Sequence, residues 1–232
     1  VEAVIHKALN YWFTAKPVCL NWWYNQIGIP KTLGTVFILF EKQLTPVEKQ
    51  NAITVMENAK FGMTGQNKVW TVMMRALLQN DYELVKMARD TIASEIVTGG
   101  TEGIKDDWCF HQHGAQQQFG NYGLSFVSGM SFFSGLFSGT SLAFDDKQLS
   151  ILSTLIDKGY RWVIWKGMMD VNALGRQLFH HAPVHKALSL AFAASELGGG
   201  ESDECVAVAT ALLRDNYPAP AVNVLTGHKH FW

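Results

Sequence analysis

The sequence has few cysteines, little net charge and few long apolar runs. Each of these shortages excludes a class of protein. The three cysteines, Cys19, Cys109 and Cys205, are widely spaced, so they form neither a CxxC metal pair nor a complete disulfide framework. One disulfide plus a free thiol and three buried thiols both remain open. Charged residues make up 17% of the chain, and the formal net charge is -1. This balance argues against nucleic acid and membrane surfaces as partners, because a basic excess usually attracts both.

Several motifs of well-known enzyme classes are also missing. The chain has no GxSxG nucleophile elbow, no phosphate-binding Walker loop and no dinucleotide fingerprint. Histidines are frequent, but they show neither an HExxH pattern nor the ordered spacing of a zinc site. Apart from His6, they lie at positions 111, 113, 180, 181 and 185, with two more at 228 and 230. We therefore expect no metal and no cofactor.

Helical periodicity, by contrast, runs through nearly the whole chain. Hydrophobic residues make up 48% of the 232 residues, enough for a sizeable core, and no Pro/Ser-rich linker divides the sequence. One domain, 1–232, is expected. In TPVEKQNAITVMENAK, Thr45 is the predicted N-cap, Pro46 the first helical residue and Glu48 the reciprocal partner of a capping box.

Further helices follow from the same periodicity. A helix over 145–165 is predicted with Asp145 or Asp146 as its cap. The apolar segment 126–144 contains recurring Ser and Gly residues, so it predicts a buried helix and not a membrane span. No segment alternates like a strand. The remaining helices are predicted at about 3–14, 32–42, 65–79, 81–97, 121–142, 184–197 and 202–214. The predicted fold class is all-α, with antiparallel helical hairpins packed side by side around a groove.

The loops between these helices have an unusual composition. KPVCLNWWYNQIGIP, KFGMTGQN, TGGTEGIKDDWCFHQHGAQQQFGNYG and MMDVNALGRQLFHH share Asn, Gln, His, Trp, Tyr and Gly. Amides and imidazoles hydrogen-bond hydroxyl groups, and flat aromatic faces cover the apolar side of a sugar ring. The loops therefore favour a carbohydrate ligand.

Two groups of residues in the loops are candidates for function. Trp22 and Trp23 are either core residues or sugar platforms, and Trp108, inside a polar loop, is the better platform candidate. His113 and Tyr122 are the candidate pair for proton transfer, because both can act as acid or base.

Each of the polar candidates has a structural alternative. His113 could bond a backbone carbonyl, and Tyr122 could simply be half-buried. Asn67 could be an N-cap, and Arg176 could belong to a surface ion pair.

Taken together, the loops resemble the catalytic α-domain of polysaccharide lyase family 8, the hyaluronate, chondroitin and xanthan lyases. NWWYNQIGIP resembles the tryptophan-rich segment of the family, and TGQN the segment with its catalytic asparagine. EGIKDDWCFHQHGAQQQFGNYG resembles the stretch with the catalytic histidine and tyrosine, and GRQLF the arginine segment. Four motifs in the same order are more specific than any one of them.

The resemblance implies an incomplete α/α toroid followed by β-sandwich domains. TGHKHFW looks like the passage into the β-region, so the chain is expected to be a fragment that lacks the first helices and the C-terminal β-sandwich domains. Those missing domains of the same polypeptide are then expected partners, since the family's cleft includes a glutamate from the β-part.

Carried over by position, the resemblance implies that Asn67, His113, Tyr122 and Arg176 are catalytic. It also implies substrate contacts by an aromatic and polar set, namely Trp22, Trp23, Trp108, Gln112 and His180. The family commonly has a second arginine in a GRxxxR pattern, and here His180 stands in its place. Loss of a permanent cation would weaken binding of an acidic sugar unless His180 is protonated.

The function implied by the resemblance is β-elimination of an acidic polysaccharide containing uronic acid, by a secreted or periplasmic enzyme. No cofactor, nucleic acid or membrane takes part. A non-catalytic carbohydrate-binding or scaffold module is the alternative. A glycoside hydrolase would need two carboxylates flanking the bond, and the loops offer Glu102, Asp106 and Asp107 but no convincing second carboxylate on the facing loops. The chain begins at Val1 without a recognisable signal peptide, so a processed or trimmed start is expected.

Overall fold

The structure, a computed structural model, describes residues 1–59, 66–198 and 207–211, and of residues 66–68 and 198 it describes only the backbone. Within these ranges the chain is mostly α-helical. The α-helices are α1 (Glu2–Ala15), α2 (Ile29–Leu39), α3 (Pro46–Met56), α4 (Gln66–Gln79), α5 (Tyr82–Ser94), α6 (Leu124–Phe137), α7 (Asp146–Thr154) and α8 (Ala182–Gly198). Residues 207–211 are helical too.

Short strands accompany the helices. β1 (Gly103–Ile104) pairs antiparallel with β2 (Phe110–His111), and β3 (Ile164–Trp165) pairs antiparallel with β4 (Met168–Met169). The expectation of no strands was wrong at these four places. Each strand has only two residues, which is too short for the alternation of side chains to show in the sequence.

The described chain groups into two compact units, Val1–Ile92 and Ala93–Trp232. In the first unit, α2 packs on α3 and α4, and α1 packs on α3. Phe13 and Phe37 stack with their ring centroids 5.9 Å apart. The buried side chains that form the core here are Leu9, Phe13, Phe37, Ala52, Ile53, Met56, Met74 and Leu78.

The start of α3 agrees with its sequence signature. Thr45 has extended backbone, Pro46 is the first helical residue, and the Thr45 hydroxyl accepts the Glu48 N–H. Glu48 in turn accepts the Thr45 N–H at 2.9 Å. The predicted capping box is therefore confirmed, and it satisfies two helix-end groups that no intrahelical carbonyl or amide can reach.

In the second unit, α6 packs on α8 and α7, and α8 also contacts β4. The apolar faces of these helices are fully buried, with Val127 and Met130 on α6, Leu152 on α7, and Leu190 and Ala194 on α8. The segment 126–144 is thus helical as far as Phe137, with one side buried and with Phe132 and Leu136 exposed on the other. No helix within the described ranges is both long and apolar enough to cross a bilayer.

The helix predicted over 145–165 begins as expected but ends early. Asp145 is the cap and forms a capping box with Gln148. After Thr154 the chain continues as a π-helical turn (Leu155–Gly159), a 3-10 turn (Tyr160–Val163) and then β3. The carbonyl oxygen of Trp108 packs directly against Gly159. This close approach of another segment is a tertiary contact that the local sequence pattern does not contain.

Other boundaries moved by a few residues. The helix predicted at 32–42 is α2, which ends at Leu39 and is preceded by a π-helical turn at Tyr24–Gly28. The helix predicted at 121–142 is a π-helical turn (Phe119–Gly123) followed by α6. Of the helix predicted at 202–214, only 207–211 lies in the described part.

The cysteine question is answered in part. Cys19 and Cys109 are free, half-buried thiols, so they do not form a disulfide with each other. Burial is the main cause that raises the pKa of the Cys109 thiol above its usual value. Cys205 lies outside the described residues.

Candidate active site

Tyr122 lies in the π-helical turn that leads into α6. This turn, Phe119–Gly123, packs closely against the rest of its unit. A Cβ atom at Gly120 would lie 2.7 Å from the Ala173 carbonyl oxygen, and one at Gly123 would lie 2.6 Å from the Tyr160 hydroxyl. Only glycine fits at both positions. Single π-helical turns within α-helices are frequent at functional sites, because the wide turn redirects side chains.

The buried Tyr160 holds the first residue of this turn in place. Its side chain is fully buried, and its hydroxyl donates to the Phe119 carbonyl at 3.0 Å. Burial raises the pKa of the Tyr160 hydroxyl well above its usual value. It therefore stays a neutral donor, and its role is to hold the start of the turn that contains Tyr122.

His113 lies in a tight loop that follows β2. Its backbone has a φ of 57°, in the left-handed region that non-glycine residues seldom adopt. The loop is closed by a main-chain hydrogen bond of 3.0 Å from Gln112 to Gln116. Glu102 accepts the Gly114 N–H at 2.8 Å and also the side-chain amide of Gln112. Local hydrogen bonds thus stabilise the strained backbone that presents the His113 ring.

Arg176 follows Gly175 in the loop before α8. Gly175 has a φ of 70°, and a Cβ there would lie 2.9 Å from Asn121 Cβ. The Arg176 loop therefore packs directly on the Tyr122 turn. Arg176 itself is exposed, with its guanidinium carbon 5.5 Å from the centroid of the Tyr122 ring.

The Tyr122 hydroxyl is the centre of the site. Arg176 donates to it over 2.8 Å, and His113 Nε2 lies 2.9 Å from it on another side. The His113 and Tyr122 rings meet edge to face at a centroid distance of 4.9 Å. Tyr122 is half-buried and His113 is exposed. The phenolic oxygen therefore sits between a permanent cation and an imidazole, within reach of a ligand from solvent.

This arrangement is suited to proton transfer. Because Arg176 has no acceptor atoms, it can only donate to the phenolic oxygen, and the bond carries the charge of the guanidinium. His113 Nε2 accepts the Tyr122 proton in one tautomer and donates to the oxygen in the other. The phenolic oxygen is thus bonded by one group that only donates and by another that can donate or accept.

The structural alternatives for these two side chains were a bond from His113 to a backbone carbonyl and a surface ion pair of Arg176. Neither agrees with the observed contacts. His113 contacts the Tyr122 hydroxyl and not a backbone carbonyl, and Arg176 contacts the same hydroxyl. Asn67 is the second residue of α4, in the other unit, and its side chain lies outside the described part. The catalytic roles of all four residues remain predictions.

The expected substrate-contacting residues fall into separate places. Trp22 and Trp23 are 53% and 41% exposed, which makes a core role for either untenable. Trp23 nevertheless packs its ring over Gly28, and it meets Tyr24 edge to face at 5.2 Å. Trp108 is half-buried, with a φ of 66°. All three remain candidate sugar contacts.

Gln112 and His180 have partners of their own. The side chain of Gln112 donates to Glu102 and so belongs to the support of the His113 loop. His180 is exposed, and its ring centroid lies 3.7 Å from that of His181. Among the residues described, no three or more His, Cys, Asp or Glu side chains cluster in a way that could hold a metal ion.

Sequence reasoning missed the contacts of Glu102 with the His113 loop and of Lys186 with the Gly120 and Leu174 carbonyls. Glu102 was considered only as a possible carboxylate of a hydrolase, yet it holds the His113 loop. Lys186 occurs within an ordinary helical pattern, and nothing in its neighbours distinguishes it from a surface lysine. These contacts join residues distant in the sequence: Glu102 is 12 residues from Gly114, and Lys186 is 66 residues from Gly120.

Comparison with known proteins places the chain in a family. The model of the polysaccharide lyase family 8 N-terminal alpha-helical domain matches residues 1–195. The chondroitinase-AC of Pedobacter heparinus is 31% identical over 180 residues, which are 74% of this chain and 26% of the relative. The chain thus spans about a quarter of that relative's length.

Solved structures of two lyases share the fold. The Paenibacillus xanthan lyase matches with a TM-score of 0.85 and 20% identity, over 98% of this chain and 24% of that one. A chondroitinase AC lyase, solved in complex with oligosaccharides, matches with a TM-score of 0.77 and 27% identity, over 94% of this chain and 33% of that one. These matches confirm the predicted fold class. The chain belongs to polysaccharide lyase family 8, of which it represents the N-terminal α-helical domain.

Proposed function

We propose that this chain is the helical catalytic part of a lyase that cleaves uronic-acid-containing polysaccharide by β-elimination. The observation on which this rests is the Tyr122 hydroxyl, bonded by Arg176 at 2.8 Å and by His113 at 2.9 Å. The family membership supports the reaction class. The names of the relatives suggest the substrates to test, which are chondroitin, hyaluronan and xanthan.

In this proposal Tyr122 is both base and acid. As phenolate it takes the proton from C5 of the uronic acid, the bond from C4 to the glycosidic oxygen breaks, and a double bond forms between C4 and C5. The proton then passes from the Tyr122 hydroxyl to the leaving oxygen. Arg176 holds the phenolic oxygen in place for both steps, because its N–H group donates to that oxygen at 2.8 Å.

Asn67 and His113 are proposed to act on the carboxylate of the substrate. A C5 proton beside an ionised carboxylate is a very weak acid, since its removal places further negative charge on that group. Hydrogen bonds donated to the carboxylate become stronger as this charge develops and thereby lower the barrier. His113 can use Nδ1 for this bond while Nε2 faces Tyr122.

We also propose that the catalytic polypeptide is longer than these 232 residues. The relatives' additional length, together with the glutamate that the resemblance places in the β-part, supports β-sandwich domains as partners that complete the cleft. Secretion or a periplasmic location is proposed on the same resemblance. His180, in place of a second arginine, would give weaker charge pairing with the acidic sugar.

A non-catalytic carbohydrate-binding module is the second candidate function. The exposed aromatic side chains of Trp22, Trp23 and Tyr24 favour it, because such rings bind glycans without any chemistry. In that case Tyr122 and Arg176 would have no catalytic role.

One assay separates these functions. The full-length polypeptide is incubated with chondroitin, hyaluronan and xanthan, and both ultraviolet absorbance and new reducing ends are followed. A lyase gives an absorbing unsaturated uronate along with each new reducing end. Reducing ends without absorbance would indicate a hydrolase and contradict the proposal, and binding without either product would support the binding module.

A further inference from the structure

Lys186 on α8 is a buried lysine whose ammonium group bonds only uncharged oxygen atoms. Its side chain is 4% exposed. Nζ donates to the Leu174 carbonyl at 2.9 Å, to the Gln177 side-chain oxygen at 3.3 Å and to the Gly120 carbonyl. Three N–H donors thus meet three acceptors, which is the full hydrogen-bonding capacity of a lysine.

These acceptors lie beside the residues of the candidate active site. Gly120 is two residues before Tyr122 in the same π-helical turn. Leu174 is two residues before Arg176, and Gln177 directly follows it. One ammonium group therefore links the backbone that positions the phenolic oxygen to the backbone that positions the guanidinium.

The two segments also touch each other, so a small change at Lys186 would be transmitted to both. A Cβ at Gly120 would lie 2.7 Å from Leu174 Cα, and one at Gly175 would lie 2.9 Å from Asn121 Cβ. The main chains are therefore in contact, and the hydrogen bonds of Lys186 hold them in register. Close packing transmits displacements, because the interior has little free volume.

Burying an ammonium group to donate to two carbonyl groups costs free energy, because the charge is removed from water. Burial lowers the pKa of Lys186 below its usual value, which reflects the cost of removing the charge from water. An apolar side chain of similar length would avoid this cost but would leave the Gly120 and Leu174 carbonyls without their donor. A lysine at this place is explained by the geometry that it imposes on both segments.

The geometry points to Lys186 as a positioning residue of the proposed lyase reaction, which sets the distance between the Tyr122 hydroxyl and Arg176 without touching substrate. The inference rests on the proposed function and adds to it a residue outside the catalytic set. Displacement of a catalytic group by about 1 Å can reduce turnover by about 10²-fold. Lys186 thus acts on the chemical step through the backbone on either side of it.

The test compares Lys186→Met with Lys147→Met in the full-length polypeptide. Lys147 lies exposed on α7 and serves as the matched control. We expect Lys186→Met to lower kcat by about 10²-fold, with a much smaller change in KM, while Lys147→Met leaves both unchanged. Thermal unfolding verifies that the variants are folded. A loss of folded protein would also lower the apparent kcat and leave KM unchanged, so kcat is calculated per folded molecule from the folded fraction of each variant.

A second measurement does not depend on activity. The protein is labelled with 3-fluorotyrosine, and the signal of position 122 is identified by its absence in Tyr122→Phe. We expect Lys186→Met to shift this fluorine resonance and Lys147→Met to leave it in place. If the unsubstituted protein forms no unsaturated product, the proposed function fails, and the fluorine comparison still tests whether Lys186 positions Tyr122.

Lys186→Gln provides a milder variant, since an amide can donate to one of the carbonyls without burying a charge. It is expected to give an intermediate kcat and an intermediate fluorine shift. A folded Lys186→Met or Lys186→Gln protein with unchanged kcat and an unchanged resonance would overturn the inference. Failure of both variants to fold would overturn it too, because Lys186 would then be required for the fold itself.

Discussion

His6 and His113 each lie 2.9 Å from an oxygen of another side chain, but in surroundings that lead to different consequences. The oxygen at His6 belongs to Glu48, which is 2% exposed. The oxygen at His113 belongs to the half-buried Tyr122. The first pair lies in the unit Val1–Ile92, and the second lies in the unit Ala93–Trp232.

The difference between the two pairs lies in what surrounds the oxygen atoms. Both carboxylate oxygens of Glu48 accept from His6, and one also accepts from the N–H and the hydroxyl of Thr45. That carboxylate is withdrawn from solvent and saturated with donors. Tyr122 instead presents its oxygen to two exposed partners, His113 and Arg176. Burial and saturation make the first pair structural, whereas exposure leaves the second open to a substrate.

Tyr122→Phe is the largest expected perturbation and affects only the second pair. Removal of the hydroxyl takes away the proposed base and acid, so we expect turnover to fall by about 10²- to 10⁴-fold, with polysaccharide binding and thermal stability largely kept. Formation of ultraviolet-absorbing product by full-length protein provides the measurement. Tyr11→Phe, at a tyrosine that is 73% exposed, is the control. Unchanged turnover in Tyr122→Phe would exclude this residue as the base.

Replacing each histidine by alanine separates the two regions directly. His113→Ala is expected to lower turnover by about 10²-fold, as for one lost donor to a developing negative charge, with little change in the free energy of unfolding. His6→Ala is expected to lower the free energy of unfolding by about 1.5–3 kcal/mol and to leave turnover per folded molecule unchanged. Denaturant unfolding and initial rates give both quantities. A comparable loss of stability in the two variants would contradict the distinction.

Glu48→Gln is expected to give the smallest effect, a loss of unfolding free energy. The pH dependence of this loss tests whether the charge of the Glu48 carboxylate is its cause. Burial acts to raise the pKa of the Glu48 carboxyl, but the bonds from Thr45 and His6 outweigh it, so the pKa lies below its usual value. A lowered pKa means that the native state favours the ionised form. The resulting stability is present above the ordinary carboxyl pKa of about 4.3 and is lost as the pH falls through the lowered native value.

We therefore expect Glu48→Gln to cost about 1–2 kcal/mol at neutral pH. This difference should shrink as the pH is lowered below about 4. Urea unfolding of both proteins at a series of pH values measures it, with activity at neutral pH as the control. A difference that stays constant down to the acid limit would mean that the shape of the carboxyl group, and not its charge, stabilises the start of α3.

Local signals in the sequence were enough to predict the starts of α3 and α7 and the all-α fold class. The Thr45 and Asp145 caps are short-range devices, because each satisfies helix-end groups within three residues. The apolar periodicity of α7 and α8 likewise comes from neighbouring turns of one helix. The π-helical turn that contains Tyr122 was not predicted, because it depends on Gly120 and Gly123 lying against distant backbone and side-chain atoms.

The sequence by itself determined an all-α chain, the positions of its caps and the set of His, Tyr and Arg residues with chemistry to offer. The tertiary structure decided which of them meet. His113 and Tyr122 are 9 residues apart, but Arg176 lies 54 residues beyond Tyr122, and a pattern of local propensity contains no information on such a distance. The same holds for Glu102 beneath the His113 loop and for Lys186, whose hydrogen bonds link two segments that meet only when the apolar faces of the helices are buried together.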